Sequence, residues 1–519
     1  MQQPHDNAAS AADTTDNAEE LHRGLSNRHI QLIAIGGAIG TGLFMGSGKA
    51  ISKAGPSILL VYMVIGAAIF LVLRAMGEIL LSNLKYKSFS DFATDLIGRP
   101  AGFFLGWSYW FMWVVTAVAD IIAIVGYTEL WWPDLPKAVP ALVVIIALLA
   151  LNLPSVKNFG EIEFWFAMIK IVAICALIIV GAIMVATSFT TPSGAHAQVA
   201  NLWNDGGFFP NGATGFLGAF QIAVFAFMGS ELVGTTAAET QNPTVTLPKA
   251  INSVPVRILI FYVGALVVIL MVNPWREIDP AKSPFVTMFT LAGIAIAAHI
   301  VNVVVLTSAT SSANSGIFST SRMVYGLSQE GYAPKFLGNL SGSGVPRNAL
   351  FLTSILLLSS IALLYAGDSI IEAFTLVTTM AAVLVIFVWS MILVSYLCYR
   401  AKRPNLHRET TYPMPGGVVA CWIVLAFFAF IIGILATDKD TLTGLMLMPI
   451  WFILLTIGWF VKNSINPEIP ETSITQSHPV VTVPSTRALP LKYYWLLLIL
   501  GVILGAFGVF FNKFTDVMQ

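Results

Sequence analysis

The sequence predicts an all-α integral membrane protein with twelve core transmembrane helices and one further C-terminal helix. Of its 519 residues, 56% are apolar and only 10% are charged, whereas an ordinary soluble domain carries about 25% charged residues. Long apolar runs recur along the chain, and roughly 20 apolar residues cross a bilayer core about 30 Å thick. The runs are continuous rather than alternating, which favours helices over a membrane β-barrel.

The apolar runs divide the chain into spans and connecting segments. Twelve runs lie at about 30–52, 56–82, 101–130, 138–154, 161–187, 213–235, 254–272, 286–312, 349–366, 370–399, 416–437 and 442–462. The segment 463–491 is rich in proline, serine and threonine, which is typical of a flexible linker. The last run, 492–513, holds Gly501 and Gly505 in a spacing that suits helix packing in lipid. We predict a thirteenth span there; the alternative is an amphipathic helix on the membrane surface.

Charge and cysteine content exclude other classes of protein. Basic and acidic residues number 27 each, so the sequence lacks the positive field that nucleic-acid binding requires. The three cysteines lie inside apolar runs, which is typical of buried side chains. The sequence contains neither metal-ligand spacing nor a nucleophile–base arrangement. We therefore expect no enzymatic activity, no metal and no cofactor, with membrane lipid as the surroundings.

The loop charges predict the orientation. With the N-terminal tail, residues 1–25, in the cytoplasm, most of the 27 basic residues fall on the inner side of the membrane. The positive-inside rule then predicts a multi-pass protein of the inner (plasma) membrane with a cytoplasmic N-terminus.

The first span carries four glycines within seven residues, Gly36, Gly37, Gly40 and Gly42. Each costs about 1 kcal/mol relative to alanine inside a helix. Unwound backbone at mid-membrane depth is tolerated only where it is buried or lines a cavity. The alternative is close helix packing, for which Gly42 and Gly46 have the right spacing.

The sixth span is interrupted in a similar way, because Gly229 and Gly234 flank the acidic Glu231. Matched interruptions that open two blocks of five spans indicate an inverted-repeat transporter with its substrate site between the breaks. The first repeat would cover 26–187 and the second 188–402. Residues 403–462 would then supply spans 11 and 12.

Broken helices at mid-membrane depth predict a site for a zwitterion. Free N–H groups at the start of the half-helix near 40–42 suit a carboxylate, and the positive end of the helix dipole adds to this. Carbonyls released near Ala38, Phe225 and Met228 suit an ammonium group. The predicted ligand is therefore an α-amino acid.

Lys170 lies near the middle of span 5. A lone lysine at that depth costs several kcal/mol if it is charged and unpaired. We predict a proton-coupling role; the alternative is a structural lysine paired permanently with carbonyls or an acid. The Ser/Thr-rich stretch 307–320 would line a polar pathway or form hydrogen bonds between helices.

Other charged or polar residues inside spans leave several roles open. Glu231 would contact the substrate amine, carry a proton or cap the broken helix. For Asp120 and His299, hydrogen bonding inside the bundle is the favoured role. Arg74 and Glu78 have the spacing of an i, i+4 ion pair, which is most simply structural.

Several of these segments resemble the amino-acid permeases of the APC superfamily. The resemblance covers about residues 22–462 and is carried by GAIGTGL at 37–43, FAFMGSELVG at 225–234, AAETQNP at 237–243 and LPKAI at 247–251. It implies a LeuT-like 5+5 inverted repeat with two additional helices. It also implies proton symport of small neutral amino acids, here D-alanine, D-serine, glycine and L-alanine.

The resemblance further implies roles for individual residues. The carboxylate site falls on Gly40, Thr41 and Gly42, and the carbonyls for the amine on Ala38, Phe225 and Met228. The coupling amine falls on Lys170, and Phe225 also falls where the family places an aromatic gate. Alternatives are a permease for 4-aminobutyrate or a larger neutral amino acid, a sodium-driven carrier, and an amino-acid sensor that transports nothing.

Overall fold

The computed structural model describes residues 39–86, 88–154, 156–237, 242–293, 295–342, 344–367 and 369–465. The predicted tail 1–25, all but the first residues of the linker 463–491, and the predicted helix 492–513 lie outside these ranges. Ala38, a predicted substrate residue, also lies outside them.

Helices account for most of the first part of the chain. In order they are α1 Thr41–Phe44, α2 Gly46–Ala54, α3 Ile58–Ser82, α4 Phe89–Leu96, α5 Arg99–Thr128, α6 Ala138–Asn152 and α7 Val156–Ala186. Local sequence sets several of the boundaries. The side chain of Ser88 accepts a hydrogen bond from the Asp91 N–H, and Asp91 bonds back to the Ser88 N–H, so α4 begins with a capping box.

The second part continues with α8 Gly212–Gly218, α9 Phe220–Ala226, α10 Leu232–Ala237, α11 Pro243–Asn252, α12 Val254–Arg257, α13 Ala265–Val272, α14 Pro284–Leu291, α15 Ala295–Gln329, α16 Arg347–Leu357, α17 Ser359–Ala366, α18 Ile370–Lys402, α19 Pro404–Glu409, α20 Gly417–Leu435 and α21 Lys439–Ile465. A π-helical segment, Ile258–Gly264, joins α12 to α13. Proline in the first turn starts α11, where its missing N–H costs nothing.

Nine helical stretches in the described ranges are long and apolar enough to cross a membrane, and Ala138–Asn152 and Gly212–Ala226 are shorter apolar helices. The chain is therefore an all-helical membrane protein across the residues that the structure covers. The count of twelve plus one spans and the inverted repeat stay predictions.

One predicted span is wrong in its boundaries. The run 286–312 covers α14, a left-handed glycine at Gly293 (φ 75°), and only the first half of α15. The second half of α15 is rich in serine and threonine, so its hydropathy is low although the helix continues to Gln329. Some of these hydroxyls bond to their own helix, as Thr320 does to the Ile317 carbonyl.

The centre of the bundle is formed by α5, α15 and α18, with α5 packed along both other helices. Helices α7, α20 and α21 lie at the periphery and expose large apolar side chains, including Trp165, Trp422 and Ile457. Apolar surface on this scale suits lipid rather than water. The site described next lies against α5, in the buried interior.

Candidate functional site

The helix that follows the predicted break in the first span begins at Thr41. Gly40, directly before it, is extended, with φ −127° and ψ −162°, and its carbonyl accepts the N–H groups of Leu43 and Phe44 at 3.2 and 3.3 Å. As the first residues of a helix, Thr41 and Gly42 have N–H groups with no acceptor inside it. These donors and the positive end of the helix suit an anionic group.

The second break separates α9 from α10. Residues 227–231 form turns, and Gly229 has a left-handed φ of 90°, which only glycine adopts without strain. The Phe225 carbonyl accepts the N–H groups of Phe227 and Met228, the latter at 3.1 Å, and the end of α9 leaves further carbonyl groups outside the regular helical pairing. The break therefore presents carbonyl oxygen where an ammonium group could bind.

The two breaks meet. A Cβ added at Gly42 would lie 2.5 Å from the Ala226 Cα, so only glycine permits this approach. A small cavity lies beside the contact and is lined by Gly40, Thr41, Gly42, Trp113, Thr116, Phe225, Ala226, Met228 and Ser312. Five of the predicted substrate residues, Gly40, Thr41, Gly42, Phe225 and Met228, therefore surround one cavity.

Glu231 does not line this cavity. Its fully buried carboxylate accepts the Gly229 N–H at 3.2 Å and the Trp389 Nε1–H at 3.4 Å. Of the three roles that the sequence left open, this geometry is that of a cap on the broken helix.

Phe225 is buried in the cavity wall. Its ring meets Phe374 of α18 edge to face, with centroids 5.9 Å apart. The pair joins α9 to α18 beside the cavity, and the gating role of Phe225 stays a prediction.

Asp120 of α5 lies directly behind the cavity wall. It is wholly buried, it accepts a hydrogen bond from the Thr41 Oγ1–H at 2.6 Å, and it interacts with the Ser312 hydroxyl. Both hydroxyl-bearing residues line the cavity. The hydrogen-bonding role expected for Asp120 thus connects it to the candidate substrate site.

Lys170 is fully buried in α7 and does not line the cavity. It interacts electrostatically with Glu163 and with Asp120. Glu163 is also fully buried, and its Oε1 accepts a hydrogen bond from Ser311 of α15. Two carboxyl groups and one amine thus form a buried charge cluster, Asp120–Lys170–Glu163, that reaches the cavity through Thr41.

Sequence reasoning missed Glu163. It precedes Lys170 by seven residues, which places both on the same face of a helix after two turns. That spacing was the available signal. His299, by contrast, does not line the cavity, and its Nδ1 accepts the Trp131 Nε1–H at 3.0 Å.

A metal centre is not formed by the part of the chain that the structure covers, where no group of three or more His, Cys, Asp or Glu residues could hold an ion.

Comparison with known proteins identifies the family. The family described as amino acid permease matches residues 29–467. The chain belongs to the amino acid permease family. It is therefore an integral membrane transporter rather than an enzyme.

Named relatives of this permease align over most of its length. The D-serine/D-alanine/glycine transporter of Escherichia coli (strain K12) is 59% identical over 449 residues, which cover 86% of this chain and 96% of the relative. The amino-acid permease AapA of Bacillus subtilis is 50% identical, over 88% of this chain and 98% of the relative. The aromatic amino acid transport protein AroP of Escherichia coli O6:H1 is 41% identical, over 86% and 96%.

Proposed function

We propose that this permease is a proton-coupled symporter that imports small neutral amino acids, such as D-alanine, D-serine, glycine and L-alanine, across the inner (plasma) membrane, with its N-terminus in the cytoplasm. The substrate class is supported by the 59% identity to a transporter named for D-serine, D-alanine and glycine. The observation that carries the coupling is the hydrogen bond from Thr41, in the cavity wall, to Asp120 of the buried charge cluster.

The cavity would hold the two ends of the amino acid separately. The substrate carboxylate would bind the N–H groups at 40–42, where the helix dipole favours negative charge. The ammonium group would bind carbonyl oxygen at Phe225 and Met228. Backbone groups alone do not exclude either enantiomer, because they contact only the groups that both share.

Charge balance links the proton to the substrate. Two ionised carboxylates beside one ammonium group leave one uncompensated negative charge, which is costly in a buried cluster. One bound proton removes it. A substrate carboxylate next to Thr41 adds negative charge near Asp120 and strengthens binding of that proton, and by linkage the proton strengthens binding of the substrate.

Purified protein in proteoliposomes tests the proposal. Labelled D-alanine should accumulate when the outside is made more acidic than the inside, and a protonophore should abolish the accumulation. Replacing sodium with choline should change nothing. A requirement for sodium would replace the proton with sodium as the coupling ion, and binding without transport would indicate a sensor.

Lys170→Ala tests the coupling. The variant should lose uphill accumulation but retain some exchange of labelled for unlabelled substrate, because the cavity itself is unchanged. Undiminished uphill uptake by Lys170→Ala would contradict the coupling role.

Competition resolves the remaining alternative substrates. Because a relative at 41% identity is named for aromatic amino acids, labelled D-alanine uptake should be challenged with each amino acid in turn, and with 4-aminobutyrate. Small neutral amino acids should compete, and larger ones should not.

A further inference from the structure

One wall of the cavity comes from α5 rather than from the broken helices. Trp113 and Thr116 both line the cavity, and residues three apart on a helix share a face. Six of the nine lining residues belong to the broken helices, and these would hold the carboxylate and the ammonium group.

The remaining lining residue, Ser312, is already committed to the carboxylate side. Its Oγ would lie 3.2 Å from a Cβ added at Gly40, and its hydroxyl interacts with Asp120. The space left for the substrate side chain is therefore bounded by Trp113 and Thr116.

The indole ring of Trp113 cannot withdraw from this space. The side chain is only 1% exposed, and its Cε3 edge lies against Gly316 of α15, where an added Cβ would be 2.6 Å away. The opposite edge carries the Nε1–H, for which the described residues supply no hydrogen-bond acceptor. A buried donor without a partner in a cavity wall points to a ligand oxygen as its acceptor.

We propose that Trp113 is a specificity-determining residue that limits transport to amino acids with small side chains. The inference rests on the proposed function, since it assigns the side-chain part of the same cavity. The family fold does not itself set the limit, because one relative at 41% identity is named for aromatic amino acids. A residue that fills space in the wall is the simplest way to set it.

The first test enlarges the cavity with Trp113→Leu. Glycine is the labelled substrate, since it fits every variant, and alanine, valine, leucine and phenylalanine are the competitors. We expect the inhibition constants of valine and leucine to fall by about tenfold or more, because a single methylene in an apolar pocket is worth roughly 10- to 200-fold in discrimination.

Trp110→Leu is the matched control. Trp110 lies one turn earlier on α5 and is also buried, but its Nε1–H donates to Thr353 at 3.2 Å and it does not line the cavity. The same loss of volume there should leave the order of competitors unchanged.

The second test makes the cavity smaller. In Gly316→Ala the new methyl group must displace the Trp113 ring toward the cavity, so transport of alanine and serine should fall more than transport of glycine. Gly326→Ala, on the same helix with open space around it, is the control. It should leave the transport of alanine and serine relative to glycine unchanged.

Trp113→Leu should shift the preference toward larger amino acids, and Gly316→Ala should shift it toward glycine. General damage to the protein would instead lower transport of all substrates alike. An unchanged order of competitors in both variants would overturn it. If Trp113→Leu does not reach the membrane, Gly316→Ala alone decides. If the wild-type protein transports none of the small amino acids, the proposed function fails; if it transports them and the variants match it, only the size limit fails.

Discussion

Asp120 couples two different environments. One side of its carboxylate accepts the Thr41 hydroxyl at the cavity, and it also interacts with the buried Lys170 amine. Such a group can transmit the charge of a bound substrate to the cluster without contacting the substrate itself. Its position in the middle of α5, a helix packed along α15 and α18, keeps this geometry rigid.

Replacing Asp120 with asparagine should uncouple transport. Asp120→Asn keeps the size of the side chain and an acceptor for Thr41 but removes the negative charge. Accumulation of D-alanine against its gradient should fall by about tenfold or more, because the remaining Lys170 and Glu163 charges balance each other and no proton is needed to neutralise the cluster. Exchange should persist. Accumulation and exchange are measured in the same proteoliposomes.

Asp205→Asn is the control for that variant. Asp205 forms an exposed ion pair with Arg276 at 2.8 Å, and such pairs contribute about 0–1 kcal/mol. Its loss should leave accumulation unchanged. If Asp120→Asn behaves in the same way, the cluster does not carry the coupling.

A second acidic pair lies at the end of α15, outside the membrane-spanning helices. Burial raises the pKa of the Glu330 carboxyl well above its usual value of 4.5, and the neighbouring Asp91 raises it further. Asp91 accepts the N–H and the hydroxyl of Ser88 at 3.1 and 2.9 Å. Glu330, near Ser90, therefore takes the proton of the pair.

This pair predicts a loss of stability as pH rises. The unfolded chain ionises Glu330 from about pH 4.5 upward, whereas the folded protein keeps the proton until its raised pKa is reached. The contribution of Glu330 to folding is therefore most favourable below about pH 4.5 and weakens progressively up to its raised pKa, by at most about 1.4 kcal/mol per pH unit.

Glu330→Gln tests that sign. The variant should melt at a higher temperature than the wild type at pH 8, and the difference should shrink at pH 5, as measured by thermal unfolding of the purified protein. An equal difference at both pH values would mean that the carboxyl does not hold its proton.

Single residues were predictable from the sequence only where their position alone is unusual. Lys170 stands out because charge is rare inside a span, and the structure places it in a buried cluster. Glu163 lies closer to the end of the same run and was not predicted. The role of Asp120 depends on Thr41, 79 residues away. Pairing between helices is set by tertiary packing, which one sequence does not display.

The predicted Arg74–Glu78 pair illustrates the same limit. Arg74 lies over the Tyr412 ring, 3.8 Å from its centroid, while Glu78 accepts the Met414 N–H at 2.7 Å and contacts His407 at 2.6 Å. The spacing correctly places both residues on one face of α3. Their partners come from the segment after α18, which the helical repeat cannot reveal.

At the scale of elements, hydropathy predicted most helices to within a few residues. The runs 101–130 and 416–437 correspond to α5 and α20, because lipid requires continuous apolar surface. Hydropathy was insufficient where a helix is amphipathic or polar but buried. The run 254–272 misses α11, which begins at Pro243, and the run 286–312 misses the polar half of α15.

The contact between the two broken helices predicts the effect of a single methyl group. In Gly42→Ala the new Cβ would lie 2.5 and 2.8 Å from the Cα and N of Ala226. Backbone cannot yield as a flexible side chain can, so α1 and α9 must separate and the cavity must deform. Uptake should fall at least about tenfold, since misplacement of about 1 Å has effects of that size or larger.

Gly433→Ala is the matched control for that substitution. Gly433 lies inside α20 with open space around it, and alanine there should stabilise the helix by up to about 1 kcal/mol. Uptake and the amount of protein in the membrane are measured for both variants. Normal uptake by Gly42→Ala would show that the breaks are not in close contact during transport.

At the scale of the whole molecule, the described parts of the candidate machinery lie within residues 39–465. The cavity, the buried charge cluster and the helices around them all lie there, and the family match ends at residue 467. The alignment with the D-serine/D-alanine/glycine transporter spans 449 residues, 96% of that relative. The segment beyond 467 lies outside the family match.

This division predicts that a chain ending at residue 467 transports normally. Uptake of D-alanine per molecule in the membrane should match the full-length protein, because no element of the cavity is removed. A chain ending at residue 440 is the control. It lacks α21, whose Trp451 stacks on Phe111 of α5 with centroids 4.1 Å apart and donates to Ser108 at 3.2 Å. That loss should expose the helix carrying Trp113 and Asp120 and abolish uptake, whereas loss of uptake in the longer chain would assign the C-terminal segment a role in transport.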